Sequence, residues 1–384
     1  MQLIFAEKNQ HLIFFFVILP PKKLNLYKKI QYFLQNQPRS VVRFLKLFLV
    51  VLFGFLLWYD VFRHKQLAEI SAQTQTAWQS ERWWFIVATI LLMPLNWILE
   101  TRKWLVLVNK FERMNLWRGL RAVLAGVTFS LFFPNRVGEF AGRILFLKSK
   151  NSWRGTIATL VSSWAQQFIL IAFGFLGFVY FLIRSWHVEQ FILDVVIAMG
   201  LLLVSLILFL FLNLEAVVPI VRRIGTLKKY PNFVKQVQSL RRYTKKELAT
   251  TLFWAFARYV IYSFQYYLVL RFFCIEAPFV RAFSCIATIY LLQTSIPLPP
   301  VMGLMARGEI ALKIWGLFST NAVGILAATF TLWIINLIIP AFIGLVFILR
   351  RRILTSVHHD SVTNKNLVNV GNTIAVNGIH ADNK

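Results

Sequence analysis

The sequence predicts an all-α polytopic membrane protein of six full spans plus two re-entrant or broken helix pairs, about eight hydrophobic segments in all. Three observations predict it. Of the 384 residues 58% are hydrophobic, 37 residues are phenylalanine and the mean hydropathy is positive, which is more apolar surface than one water-soluble core can bury. Several segments stay apolar for the roughly 20 residues that a hydrocarbon core requires. The net charge of +27 falls between those segments rather than on one folded basic face, which speaks for membrane topology and against nucleic acid as a partner.

The chain opens with "MQLIFAEKNQHLIFFFVILP", an apolar run with no basic region before it and no small-residue cleavage site after it. It makes a poor signal peptide, and residues 1–20 are kept out of the predicted fold. Lys22, Lys23, Lys28, Lys29, Arg39 and Arg43 follow without an acid, so residues 1–44 read as a basic cytoplasmic segment.

Full spans are predicted at 45–62, 83–108, 157–183, 191–214, 248–270 and 322–349. Two shorter apolar stretches, 120–134 and 282–296, stop at prolines, and each is followed by a short charged piece, as broken or re-entrant helices would be. Lys110, Arg113 and Arg118, then Lys148, Lys150 and Arg154, then the basic loop 215–247, then Arg350, Arg351 and Arg352 all fall on one side under this count. That side is cytoplasmic by the positive-inside rule. Residues 353–384, rich in asparagine, read as a disordered cytoplasmic tail. Cys274 and Cys285 stand in apolar sequence and read as two buried thiols rather than a disulfide framework.

The membrane domain, 45–352, carries an internal repeat in prediction: repeat one about 83–184, repeat two about 248–349. Glu139 and Glu309 are 170 residues apart, Arg118 and Arg281 are 163 apart, and "FLGFV" around Gly177 matches "FIGLV" around Gly344 at 167. The first short pair would enter from the cytoplasm and the second from outside, as an inverted repeat requires. Discontinuous helices in inverted repeats are how secondary transporters build a substrate site at mid-membrane.

Candidate binding residues follow from charges in apolar surroundings, which are costly there unless paired. In "SLFFPNRVGEFAGRILFLK", Arg136, Glu139 and Arg143 recur at helical spacing after Pro134. In "SIPLPPVMGLMARGEIALKIW" the counterparts are Arg307, Glu309 and Lys313, and the two glutamates are expected to face one another across the repeat interface. Glutamates suit an ammonium or guanidinium group, and arginines suit a phosphate. A second tier lies inside full spans: Glu100 and Arg102 beside Asn96, Gln166 beside Gln167, Arg258, Gln265, and Asn336 in the last span. Some of these will be helix-to-helix glue. Arg258 lies deep in its span, and its partner is not readable from the sequence. The six histidines all lie in termini or loops, so no metal site and no cofactor is expected.

"PNRVGEFAGRILFLK" resembles the signature of the lysylphosphatidylglycerol synthase transmembrane-region family of flippase-like domains. "NWILETRKW" is similar to an early segment of that family, and "PLPPVMGLMARGE" to a later one, with an extra Arg307 and fewer glycines. The resemblance covers roughly residues 83–349. It implies a bacterial inner-membrane protein with cytoplasmic termini that moves an anionic, aminoacylated or polyprenyl-linked lipid between leaflets. Arg136, Glu139, Arg143 and Glu309 would touch or gate the head group. The family's soluble aminoacyltransferase domain has no counterpart in the sequence, so synthase activity is not implied. An intramembrane enzyme acting on lipid head groups and a non-transporting assembly factor stay open as alternatives, as does a homo-oligomer. A channel fits less well, because no span carries a polar stripe or filter motif.

Overall fold

The computed structural model describes residues 75, 78–79, 81–131, 137–148, 151–185, 189–223, 238–294 and 303–350. The N-terminal segment, the span predicted at 45–62, Arg136 and the tail lie outside the described residues. What is described is helical, with no strand. The helices are α1 (Trp83–Val108), α2 (Leu116–Ser130), α3 (Val137–Ile144), α4 (Ser152–Ser185), α5 (Gln190–Leu212), α6 (Leu214–Arg223), α7 (Lys245–Phe272), α8 (Phe279–Thr294), α9 (Gly303–Trp315) and α10 (Ala322–Trp333). A 3-10 turn, Gln238–Arg242, precedes α7, and α10 continues through a π-helical stretch, Ile334–Ile338, as one helix to Arg350.

Four of these helices are long and apolar enough to cross a membrane: α1, α4, α5 and the extended α10. The segment predicted at 248–270 does form a 28-residue helix, α7, yet it is not among the four. Arg258, Gln265 and four tyrosines dilute its apolar character. Its start is fixed locally by a capping box, in which the Thr244 hydroxyl accepts from the Glu247 amide and the Glu247 carboxylate accepts from the Thr244 amide. Cys285 is buried as expected, whereas Cys274 is exposed. Cys274 lies just past α7 in the left-handed region, at φ 60°.

α1 and α7 pack antiparallel along their whole length, joined by polar rungs. The Arg82 guanidinium donates to the Arg271 carbonyl at 3.2 Å, Gln265 to the Thr89 carbonyl at 2.9 Å, and Arg258 to the Asn96 side chain at 3.0 Å. At the far end Lys110 pairs with Glu247 at 2.8 Å. The first three rungs climb α1 in steps of seven residues, two helical turns. That is the period at which one face keeps meeting the same partner.

α2 and α3 form a tight antiparallel hairpin. A Cβ on Gly138 would lie 2.2 Å from the Phe129 carbonyl carbon, and one on Gly142 would lie 2.3 Å from the Gly126 amide nitrogen. Only glycine lets the two backbones touch there. At 15 and 8 residues the helices are about 22 and 12 Å long, each less than the roughly 30 Å of a bilayer core. The hairpin's two ends meet at one buried carboxylate. Glu112 accepts from Arg118 at the start of α2 at 2.7 Å, from the Lys148 amide after α3 at 3.1 Å, and from Asn151 before α4 at 2.9 Å.

The remaining long helices grip short ones from the other half of the chain. α4 crosses α8 at Gly174 and Gly177, where a Cβ on Gly177 would lie 2.5 Å from the Ala287 Cβ. α10 crosses α2 at Gly344, where a Cβ would lie 2.1 Å from the Leu124 carbonyl oxygen, and the Thr128 hydroxyl donates to the Ala341 carbonyl at 2.7 Å beside it. α5 packs mainly on α4 and buries only Phe211 among its own side chains, so its apolar surface is turned outward.

Candidate functional site

The charges that the sequence scatters over three segments meet where α1, α3, α4 and α7 converge. Asn96, Trp97, Glu100, Lys103 and Trp104 share one face of α1, because they recur at the three-, four- and seven-residue spacings of a helix stripe. Glu139 and Arg143 lie one turn apart on α3. Arg258 comes from α7 and Gln166 from α4.

Glu100 is the hub. Its Oε2 lies 2.6 Å from Lys103 Nζ and 3.0 Å from Arg258 Nη1, and its Oε1 lies 2.8 Å from Arg143 Nη2. The same Arg143 nitrogen reaches Glu139 Oε2 at 3.1 Å. Gln166 Oε1 accepts from Lys103 at 3.1 Å and from Arg258 at 3.4 Å. Asn96, which holds Arg258 Nε, donates in turn to Asn336 Oδ1 of the π-helical stretch at 2.9 Å. Arg143 lies over the Trp104 ring at 5.6 Å from its centre and Arg258 over Trp97 at 5.2 Å. The two rings supply a π face where water would otherwise solvate the cations.

Burial gives these contacts their weight. Glu100 is 4% exposed, Lys103 1% and Arg143 1%, while the Glu139 and Arg258 side chains are 12% and 15% exposed and mark the rim. An ion so deeply buried costs several kcal/mol to desolvate unless partners surround it. One carboxylate at the centre of three cations provides that compensation. Counting formal charge, Lys103, Arg143 and Arg258 outweigh Glu100 and Glu139 by one.

Of the residues singled out from the sequence, Glu139, Arg143, Glu100, Arg258 and Gln166 are brought together. Arg136 lies outside the described residues. Arg102 is exposed and takes no part in the ion pairs of Glu100. Gln265 is buried seven residues along α7 and serves the α1–α7 seam at Thr89. Arg307 is half-buried and Glu309 exposed, both on α9; neither is an ion-pair partner of Glu100. Of the second repeat it is Arg258 of α7, not the charges of α9, that pairs with Glu100. Lys103 is the residue that the sequence reading missed. Its signal was available, since Lys103 follows Glu100 by three residues and shares its face, whereas Arg102 follows by two and points away.

A family model described as the lysylphosphatidylglycerol synthase TM region matches residues 43–355. No curated protein and no solved structure matches the chain.

Proposed function

The chain belongs to the lysylphosphatidylglycerol synthase transmembrane-region family, and from that premise we propose that it is a flippase-like transporter that carries a lipid head group past the Glu100 hub. Family and helices together make it a multi-pass membrane protein of a lipid-handling family. The finer reading has an anionic, aminoacylated or polyprenyl-linked lipid moving between leaflets of a bacterial inner membrane, with both termini cytoplasmic. Glu139, Arg143, Arg136, Arg307 and Glu309 contact or gate its head group on this reading, with Glu100, Lys103, Arg258 and Gln166 behind them.

The observation that carries the proposal is a cluster of five ionised side chains drawn from both halves of the chain, three of them, Glu100, Lys103 and Arg143, deeply buried. Charge inside a membrane domain is retained at a cost, and moving a charged group is the function that repays it. Two further observations support the transporter architecture. Both ends of the α2–α3 hairpin are tied to Glu112, which suits a re-entrant pair that leaves the membrane on the side it entered. Gly177 of α4 on α8 and Gly344 of α10 on α2 are reciprocal contacts at the spacing of the proposed inverted repeat.

A second reading, in which the cluster only fixes helix packing, is favoured by the three cations gathered within 3.0 Å of Glu100. Proteoliposomes separate the two. Fluorescent phosphatidylglycerol and polyprenyl phosphate are reconstituted with wild type and Glu139→Gln, and leaflet exposure is followed with a membrane-impermeant quencher. Transport predicts accelerated exposure in the wild type that is lost in Glu139→Gln at equal folded amount. The packing reading predicts no acceleration with either lipid, and a reduced folded amount in the variant.

A further inference from the structure

α10 reaches the hub from two sides, and its one irregular turn lies between the two contacts. In the Ile334–Ile338 stretch the Ile339 amide donates to the Ile334 carbonyl, five residues back instead of four. Pro340 follows at once and has no amide to offer the Asn336 carbonyl four residues back. Within the turn, Asn336 accepts from Asn96 at 2.9 Å, and Asn96 in its turn accepts from Arg258 Nε at 3.0 Å. Past the turn, Gly344 is seated on the Leu124 backbone of α2, with the Thr128 bond to the Ala341 carbonyl beside it. Gly126, two residues on from Leu124 and so on the other side of α2, carries α3: its Cβ would lie 3.0 Å from the Glu139 carbonyl oxygen and 3.2 Å from Arg143 Cγ.

A turn closed at five residues holds one residue more than a turn closed at four, and one residue is about 100° of helix rotation. That extra residue sets the angle between Asn336 and Gly344. In an unbroken α-helix of the same sequence, a seated Gly344 would leave Asn336 rotated about 100° off Asn96. The two contacts are unequal. No residue with a Cβ can take the place of Gly344, since that carbon would lie 2.1 Å from the Leu124 carbonyl oxygen. Asn336 is held through its Oδ1 alone, and its buried Nδ2 has no acceptor among the described residues. If the turn shifts, the Asn96 end is the one that yields.

We propose that the π-turn of α10 is a movable joint. In the arrangement described it clamps Arg258 through Asn96. By shifting toward the N-terminus of the helix it turns Asn336 away and leaves Arg258 to Glu100 and Gln166. Asn96 and Asn336 are then positioning residues that act through Arg258. The joint goes beyond the transport reading and does not depend on it.

Trp97, whose ring centre lies 5.2 Å from the Arg258 guanidinium, reports the clamp. The full-length chain is labelled with fluorotryptophan and its fluorine NMR spectrum is recorded in detergent, the Trp97 line being identified by its loss in Trp97→Phe. Wild type is expected to show two Trp97 environments, as two lines or as one line broadened by exchange. Asn336→Leu should show only the released environment. Pro340→Ala combined with deletion of Leu337 takes one residue out of the turn and restores the missing amide. Asn336 and Gly344 keep their present relation there in a plain α-helix. That chain should fold, with a thermal midpoint no lower than wild type, and show one sharp line at the clamped position.

A deletion chain that fails to fold while Pro340→Ala alone folds overturns the register on which the joint rests. A Trp97 line that is single in wild type and unmoved in Asn336→Leu overturns the joint, as does a deletion chain that still shows both environments. If the substituted chains do not fold, wild type decides alone, and one sharp Trp97 line overturns the joint. The expected Trp97 pattern without accelerated leaflet exposure removes transport and keeps the joint.

Discussion

Glu100→Gln is the sharpest perturbation the structure offers, since it changes one oxygen to an amide, keeps the shape and strips three cations of their shared counter-ion. Removing one partner of a buried ion pair costs about 3–5 kcal/mol. Glu100 serves three cations at 2.6, 2.8 and 3.0 Å, which places the loss at the upper end. A loss of about 5 kcal/mol is a factor of several thousand in an equilibrium constant and comparable with the whole stability of many proteins. The assay is the monodisperse fraction on size exclusion after detergent extraction, together with the thermal midpoint of what remains. Glu100→Gln should lose most of the monodisperse protein. Combining it with Lys103→Met should recover part of the loss, because the second change removes one of the three stranded charges. Coupling of about 0.5–3 kcal/mol between the two sites is expected for residues in direct contact. A Glu100→Gln protein as abundant and as heat-stable as the wild type would refute the claim that this carboxylate holds the cluster together.

Neighbouring residues on α1 should part company: Arg102→Ala is expected to leave the folded amount within error of wild type, and Lys103→Ala to lower it measurably, both read by fluorescence-detected size exclusion. At the α2–α10 crossing, Gly344→Val should sharply reduce folded yield because its Cβ would lie 2.1 Å from a backbone oxygen, whereas Gly308→Ala meets only the end of the Leu326 side chain at 3.0 Å and should be nearly neutral. Glu112, in the loop outside the spans, gives a pH effect. Burial pushes its carboxyl up, but hydrogen bonds from Asn151 and the Lys148 amide and the charge of Arg118 outweigh that and hold it below the ordinary value. A depressed carboxylate contributes stability that is complete above its unfolded pKa of about 4.3 and lost as pH falls through the lower folded value. The thermal midpoint of the wild type should therefore fall in acid below about pH 4.3 by more than that of Glu112→Gln, and parallel curves would count against the hairpin clamp.

Hydropathy made the spans readable, because a helix in lipid needs an uninterrupted apolar run and nothing in tertiary structure changes that need. The predicted boundaries 83–108 and 191–214 accordingly lie on α1 and α5 to within two residues. α7 was legible as an element for a different reason: its charge and tyrosines were few enough to leave the helical pattern standing, although its apolar character alone does not mark it as a span. The partners of Arg258 were not legible, since Glu100, Asn96 and Gln166 lie 92 to 162 residues away and only the packing of three helices brings them within reach. Lys103 was legible in principle, from its three-residue spacing to Glu100, but the sequence reading singled out Arg102, which lies two residues on and faces away. Glu309 is the converse case, an exposed residue on α9. The proposed repeat spacing pairs it with Glu139, yet spacing along a chain says nothing about whether neighbouring helices supply a hub for it to join.

The reciprocal glycine seats have a mechanical consequence. α4 of the first half is notched into α8 of the second at Gly177, against the Ala287 Cβ, and α10 of the second is notched into α2 of the first at Gly344, against the Leu124 backbone. Neither α2 nor α8 can swing without dragging a long helix that belongs to the opposite half. The two halves are geared to one another, so a tilt that opens one face of the molecule is transmitted as a tilt on the other, and one tooth altered at Gly177 or Gly344 should be felt on both sides.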